Sequence, residues 1–150
     1  AKARMDRGMR IVTVEPRLSI SGAKSEEWIP IRPATDRQFA LGLCQVLVDE
    51  GLCDYEFLKK DTNAPYLTGE DGYVVRNAEG KIYVWDAVDD CAKLWDDPSI
   101  GDFALLGSYT VDGKSCKPAF QRFRDTLDAE CTPEKTEVHT TVPAAAIIAA

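Results

Sequence analysis

The run Met9–Glu15, Met-Arg-Ile-Val-Thr-Val-Glu, constrains this chain more than any other stretch. It is short, apolar and β-branched, and Gly8 and Pro16 close it at either end, which is how a buried parallel strand reads. Polar, small residues follow over Ser19–Glu27 as a loop or short helix, and Glu27-Trp28-Ile29-Pro30-Ile31 reads as a second short strand. Thr35-Asp36 then caps a long helix, Arg37–Glu50, with Phe39, Leu43, Val46 and Leu47 on one face and Gly51 as its stop. Asp54–Lys60 reads as a shorter helix, followed by a turn at Thr62-Asn63-Ala64-Pro65. This alternation is that of an α/β fold.

From Tyr66 the character changes. Gly72–Arg76 and Lys81–Trp85 flank Asn77-Ala78-Glu79-Gly80 as a hairpin, and Cys91–Gly107 reads as an acidic, aromatic loop. Tyr109-Thr110-Val111 and Lys114-Ser115-Cys116 flank Asp112-Gly113, a stronger hairpin signal. Pro118 opens a helix to about Ala129, with Phe120, Phe123 and Leu127 at core spacing. The expected organisation is an α/β half over 1–65, a β-rich insertion over 66–117 and returning helices over 118–150.

Composition narrows the function. The chain has 150 residues, 45% of them hydrophobic and 29% charged, enough to bury a core within one domain-sized unit. A formal net charge of −7 argues against a nucleic-acid or anionic-membrane surface, either of which needs a clustered basic footprint. The five cysteines, Cys44, Cys53, Cys91, Cys116 and Cys131, form no CxxC pair, and the single His139 leaves a zinc site poorly supplied. Asp89, Asp90, Asp96 and Asp97 form an acidic stretch with Trp85 and Trp95, without the alternating ligands and glycine of a calcium loop. A solvated loop is the favoured reading, and a docking surface for a partner subunit is the alternative.

Both ends read as cut. Ala1–Gly8 resembles the last turn of a helix and its glycine stop, and there is no initiating Met. Thr132-Pro133-Glu134-Lys135 opens one helix, and Val142-Pro143-Ala144 opens another that stops in mid-pattern at Ala150. The expectation is a segment of a longer protein.

The chemistry concentrates in the first 36 residues. Glu15 ends a strand, the position where nucleotide-binding α/β folds hold a ribose, and Arg17 follows near the edge where phosphates bind. A solvated Glu paired with Arg17 is the plainer alternative. In Ile31-Arg32-Pro33-Ala34-Thr35-Asp36 a rigid Pro leads into a helix start, where unsatisfied N–H groups favour an anion. Asp36 can cap the helix, or its two oxygens can accept the paired N–H donors of a guanine Watson–Crick edge. Spacing alone favours the cap.

These segments, in order, resemble a known family. Glu15-Pro16-Arg17-Leu18-Ser19, then Ala23-Lys24-Ser25-Glu26-Glu27-Trp28-Ile29-Pro30-Ile31-Arg32-Pro33-Ala34-Thr35-Asp36, then Ala40-Leu41-Gly42-Leu43, are similar to the molybdopterin oxidoreductases of the dimethyl sulfoxide reductase family. Their large catalytic subunits carry a strand ending in Asp-Pro-Arg and an Arg-Pro-Gly-Thr-Asp loop opening a helix. The likeness is strongest over 9–65, extends to Lys117-Pro118-Ala119-Phe120 and Thr132-Pro133-Glu134, and is weakest over 69–108.

The resemblance implies part of a doubly wound, dinucleotide-binding-like parallel sheet with a small β-hairpin insertion. It implies one nucleotide end of a bis(molybdopterin guanine dinucleotide) cofactor carrying molybdenum or tungsten, with Glu15 and Arg17 by the ribose and pyrophosphate. Asp36 would read guanine, with Arg32 and Thr35 nearby. Two positions depart from the pattern: Glu15 is one methylene longer than Asp, and Ala34 stands where glycine is usual, requiring φ below zero or some strain. The family's metal ligand and iron–sulfur cysteines lie upstream of the matched region, so no catalytic or metal-ligating residue is assigned here. Implied partners are the remainder of the catalytic subunit, a membrane anchor and an iron–sulfur electron-transfer subunit, in the periplasm or cytoplasm of a prokaryote. A non-enzymatic α/β binding or scaffold domain that lost the site is the alternative.

Overall fold

A computed structural model describes residues 6–150. The fold is mixed α/β, with one parallel strand pair and small antiparallel sheets. Its backbone divides into two compact units, one built from the chain up to Leu52 together with Thr126–Ala150, the other from Cys53–Asp125.

In the first unit β1 (Val12–Val14) lies parallel to β2 (Glu27–Ile29), with Val12 opposite Glu27 and Val14 opposite Ile29. A 3-10 turn at Gly22–Lys24 joins them, settling the loop-or-helix alternative. α1 runs Asp36–Asp49, one residue earlier at each end than the sequence suggested. Its stop follows expectation, with Gly51 at φ +66°. The returning elements are the end of α3 (Ala119–Glu130), then α4 (Pro133–Thr140) and α5 (Ala144–Ala149). Thr132 caps α4 by accepting from the Lys135 N–H, with Pro133 at the first turn.

The core of this unit is Ile29, Ile31, Phe39, Val142 and Ile147, with Val12, Leu43 and Val46 packed against it. α1 buries Phe39, Gly42, Gln45 and Val48, whereas Leu47, expected in the core, is 45% exposed. The buried stripe is rotated toward Gly42 because a missing side chain there lets Thr136 of α4 approach. A Cβ at Gly42 would sit 2.7 Å from Thr136 Oγ1. Of the opening helix, residues 1–5 lie outside the described part of the chain. Asp6 and Arg7 are helical, and Gly8 has φ +64°.

The second unit contains α2 (Tyr55–Asp61), capped by Asp54, which accepts from the Phe57 N–H. The 53–65 stretch, grouped by its sequence with the α/β half, packs in this unit: Phe120 N–H donates to Ala64 C=O, and the Tyr55 and Phe120 rings meet edge to face at 6.3 Å. β3 (Leu67–Gly69), β7 (Lys114–Pro118) and β6 (Tyr109–Val111) form an antiparallel sheet in that spatial order. Asp112 and Gly113 both have positive φ, 52° and 75°, as the tight turn of a two-residue hairpin requires.

The expected hairpin around Asn77–Gly80 keeps its turn, but its flanks are reduced to single bridges, including Arg76 with Ile82. The regular hairpin lies further on: β4 (Tyr83–Asp86) pairs with β5 (Cys91–Leu94), a strand where the sequence suggests loop. Leu67, Val111 and Cys116 form the core here, covered by Trp85 stacked on Tyr109 at 4.2 Å.

Candidate nucleotide-binding edge

Because β1 and β2 run parallel, the segments leaving their carboxyl ends emerge on one edge of the pair. In open α/β sheets that edge is where ligands bind. Glu15-Pro16-Arg17 follows β1, and Arg32–Asp36 follows β2 and opens α1, so all five candidate residues belong to this edge.

Glu15 is the most firmly held. Its N–H donates to Ile29 C=O at 3.2 Å, and its carboxylate Oε1 accepts from the Ser19 N–H at 2.7 Å. Its carbonyl accepts from the Trp28 indole Nε1 at 3.0 Å. Gly22 lies against the same carboxylate, and any Cβ there would overlap Glu15 Oε1. The turn from Ser19 to Ser25 is therefore built around Glu15, which in sequence is only a strand end. Sequence reasoning missed both supports, Trp28 and Gly22. The available signal was glycine in a stretch of otherwise polar small residues, marking a close approach.

The second loop turns at Pro33-Ala34, and Ala34 takes φ +64°. A positive φ after proline is the geometry of a type II turn, which glycine ordinarily supplies, so Ala34 bears the strain its lack of a glycine implied. Thr35 Oγ1 donates to Arg32 C=O at 2.7 Å and closes this turn. It is thereby diverted from capping: Thr35 occupies the N-cap position of α1 but makes no side-chain cap bond. Asp36, expected as a cap, is instead the first helical residue and is exposed. The first intrahelical bond runs from Phe39 N–H to Thr35 C=O, so the N–H groups ahead of Phe39 have no partner within the helix.

Arg32 is fixed through its backbone, the N–H donating to Thr140 C=O at 2.9 Å, while its side chain is exposed. Arg17 is exposed too. The side chains of Arg17, Arg32 and Asp36 make no hydrogen bond or ion pair to one another or to any other described residue, so the Glu15–Arg17 pairing considered from sequence does not form. The edge thus presents two guanidiniums, one carboxylate, a half-engaged second carboxylate and free helix N–H groups.

Elsewhere in this unit a cavity of about 480 Å³ is lined by Arg37, Gln38, Cys131, Lys135 and His139, and by none of the five candidates. Burial pushes the Cys131 thiol above its ordinary value, as it does for Cys116 in the other unit. Among the described residues no group of three or more His, Cys, Asp or Glu side chains is placed to hold a metal ion, and no helix is long and apolar enough to cross a membrane.

No family model matches the chain. Individual relatives do. A sulfite dehydrogenase subunit of Allochromatium vinosum is 34% identical over 92% of this chain and 16% of that protein. Dimethyl sulfoxide reductase of Escherichia coli is 42% identical over 55% of the chain and 10% of that protein. The molybdopterin-containing subunit of the arsenate respiratory reductase of Chrysiogenes arsenatis is 32% identical over 61% of the chain and 12% of that protein. The chain therefore spans about a sixth or less of the length of these relatives. By sequence it belongs to the dimethyl sulfoxide reductase family of molybdopterin oxidoreductases, as a segment of their catalytic subunit.

Proposed function

We propose that this chain is the part of a molybdenum or tungsten oxidoreductase that holds a guanine nucleotide end of a bis(molybdopterin guanine dinucleotide) cofactor. The supporting observation is that two loops leave neighbouring parallel strands at one edge and carry exposed charge of both signs without a partner among the described residues. The donor set suits such a group. Asp36 offers two oxygens to the paired N–H donors of guanine, and the free oxygen of Glu15 can accept from a ribose hydroxyl. Arg17, Arg32 and the N–H groups at the start of α1 suit a pyrophosphate.

When bound, the cofactor supplies oxygen-atom or electron transfer at its metal. This chain's own residues bind and orient the nucleotide and move no proton. Thr35 keeps the Arg32 turn closed, and Gly22 leaves room for the carboxylate that anchors the first loop. Catalysis, in this reading, belongs to other parts of the enzyme, with a membrane anchor and an iron–sulfur electron-transfer subunit for partners.

The test is the metal and nucleotide content of the full-length protein purified without oxygen. Molybdenum or tungsten together with guanosine monophosphate released by acid hydrolysis is the expected result. Asp36→Ala should lower the guanosine monophosphate retained by about tenfold, the effect of losing one charge-assisted bidentate contact. Well-folded protein with neither metal nor nucleotide overturns the reading.

A further inference from the structure

We propose that Trp28 is a positioning residue for the nucleotide edge, its indole N–H fixing the Glu15 backbone where the chain leaves β1; this rests on the nucleotide reading above. The bond from Glu15 N–H to Ile29 C=O is the last of the β1–β2 ladder, and no backbone N–H among the described residues donates to the Glu15 carbonyl. The Glu15 carbonyl instead accepts from Trp28 Nε1 at 3.0 Å, a side chain doing what a strand neighbour would otherwise do.

Trp28 is suited to this by its place in the register. Its Cα is opposite Thr13, two residues before Glu15, so the indole leans along the strand toward the carboxyl edge. Ile29 beside it is 3% exposed in the core, whereas Trp28 alternates to the other face and is 38% exposed. The bond joins two adjacent strands at the residue where one of them stops.

With the carbonyl held by Trp28, the N–H held by Ile29 and Oε1 held by Ser19, Glu15 keeps one oxygen without a described partner. Three fixed points on one residue leave that oxygen little choice of direction. Gly22 leaves the space that Oε1 occupies, which any Cβ there would fill.

Trp28→Phe keeps the ring and removes the donor, and Trp28→Gln keeps an N–H and removes the ring. Both are made in the full-length protein and read by the guanosine monophosphate retained per folded molecule, with hydrogen exchange of the 15–25 segment as a second measure. Trp28→Phe is expected to retain about fivefold less nucleotide, the worth of one hydrogen bond, and to speed exchange at the Ser19 amide. Trp28→Gln is expected to recover part of both. Wild-type retention in Trp28→Phe overturns the inference. So does equal loss in both variants, or failure of both to fold, since ring packing would then be the determinant. Asp36→Ala is the reference: if it loses nucleotide while Trp28→Phe does not, only this inference fails. If Asp36→Ala also retains its nucleotide, the nucleotide reading itself fails.

Discussion

Asp86 and Asp36 show how differently the two units use charge. Asp86, at the end of β4, is fully buried and accepts from Lys93 Nζ at 2.7 Å and from the N–H groups of Val88, Gly101 and Asp102. Lys93 also meets Asp89 and the Ser99 carbonyl. The carboxylate at the centre of that hairpin is fully engaged by its own chain. Asp36 is exposed, and its carboxylate makes no hydrogen bond or ion pair among the described residues. Charge that is internally satisfied fixes a fold, whereas charge left facing solvent at the carboxyl end of parallel strands is available to a ligand.

The sharpest way to break this contrast is Asp86→Ala, which removes one of Lys93's three partners and the acceptor of three N–H donors in the second unit. The melting temperature is expected to fall by on the order of 10 °C, because three N–H donors lose their acceptor and Lys93 keeps only Asp89 and the Ser99 carbonyl. The same pair makes a pH prediction. The Lys93 bond, then the Gly101 N–H, hold the Asp86 carboxyl well below its ordinary 3.8, overcoming the opposing effect of burial. Hydrogen bonds to Asp86 and Asp89 hold Lys93 above its ordinary 10.5. A depressed carboxyl stabilises the fold above its unfolded value and loses that contribution as pH falls through the folded one; a raised lysine does the converse. The pair's stabilisation should therefore be flat from about pH 4 to about pH 10 and decline outside it. Denaturant melts across pH should show Asp86→Asn weakening the acid-side decline, the remainder coming from Asp97, Asp125 and Glu134, which are also held below their ordinary values.

In the first unit, Gly42→Ala should cost about 2 kcal/mol by forcing a methyl into Thr136, measured by urea unfolding. Ala34→Gly should stabilise it by about 1 kcal/mol, since glycine takes φ +64° without strain. Asp36→Ala should change stability by no more than about 0.5 kcal/mol, in the same melts, while nucleotide retention drops. A large stability loss there would put Asp36 in the same class as Asp86 and dissolve the comparison.

Local chemistry was legible in the sequence. Asp112-Gly113 named its turn, Thr132-Pro133 named a helix start, and the short β-branched run at Met9–Glu15 named a parallel strand, trimmed to Val12–Val14. What stayed hidden depended on partners distant in sequence. β5 looks like loop in sequence because Lys93 breaks its apolar pattern, and that half-buried lysine is held by Asp86, Asp89 and the Ser99 carbonyl. Gln45 is 3% exposed on α1 because its Nε2 donates to Asp49 and to Asp128 of α3, which no helical period could reveal. At the site, the order of motifs placed the loops correctly on the strands. The division of labour was not visible: Thr35 closing a turn rather than a helix, and Trp28 holding Glu15, are matters of side-chain direction.

The bond from Arg32 N–H to Thr140 C=O has a consequence for how the chain acquires its structure. It ties the loop before α1 to the end of α4, and Val142 and Ile147 complete the core around Ile29 and Phe39. The second unit is one uninterrupted stretch, Cys53–Asp125, and holds all of its own strands. During synthesis from the amino end it can therefore fold first, while the strands and helix made before it wait for residues made after it. The carboxyl edge of β1 and β2 is thus translated ahead of the second unit and becomes rigid only after it.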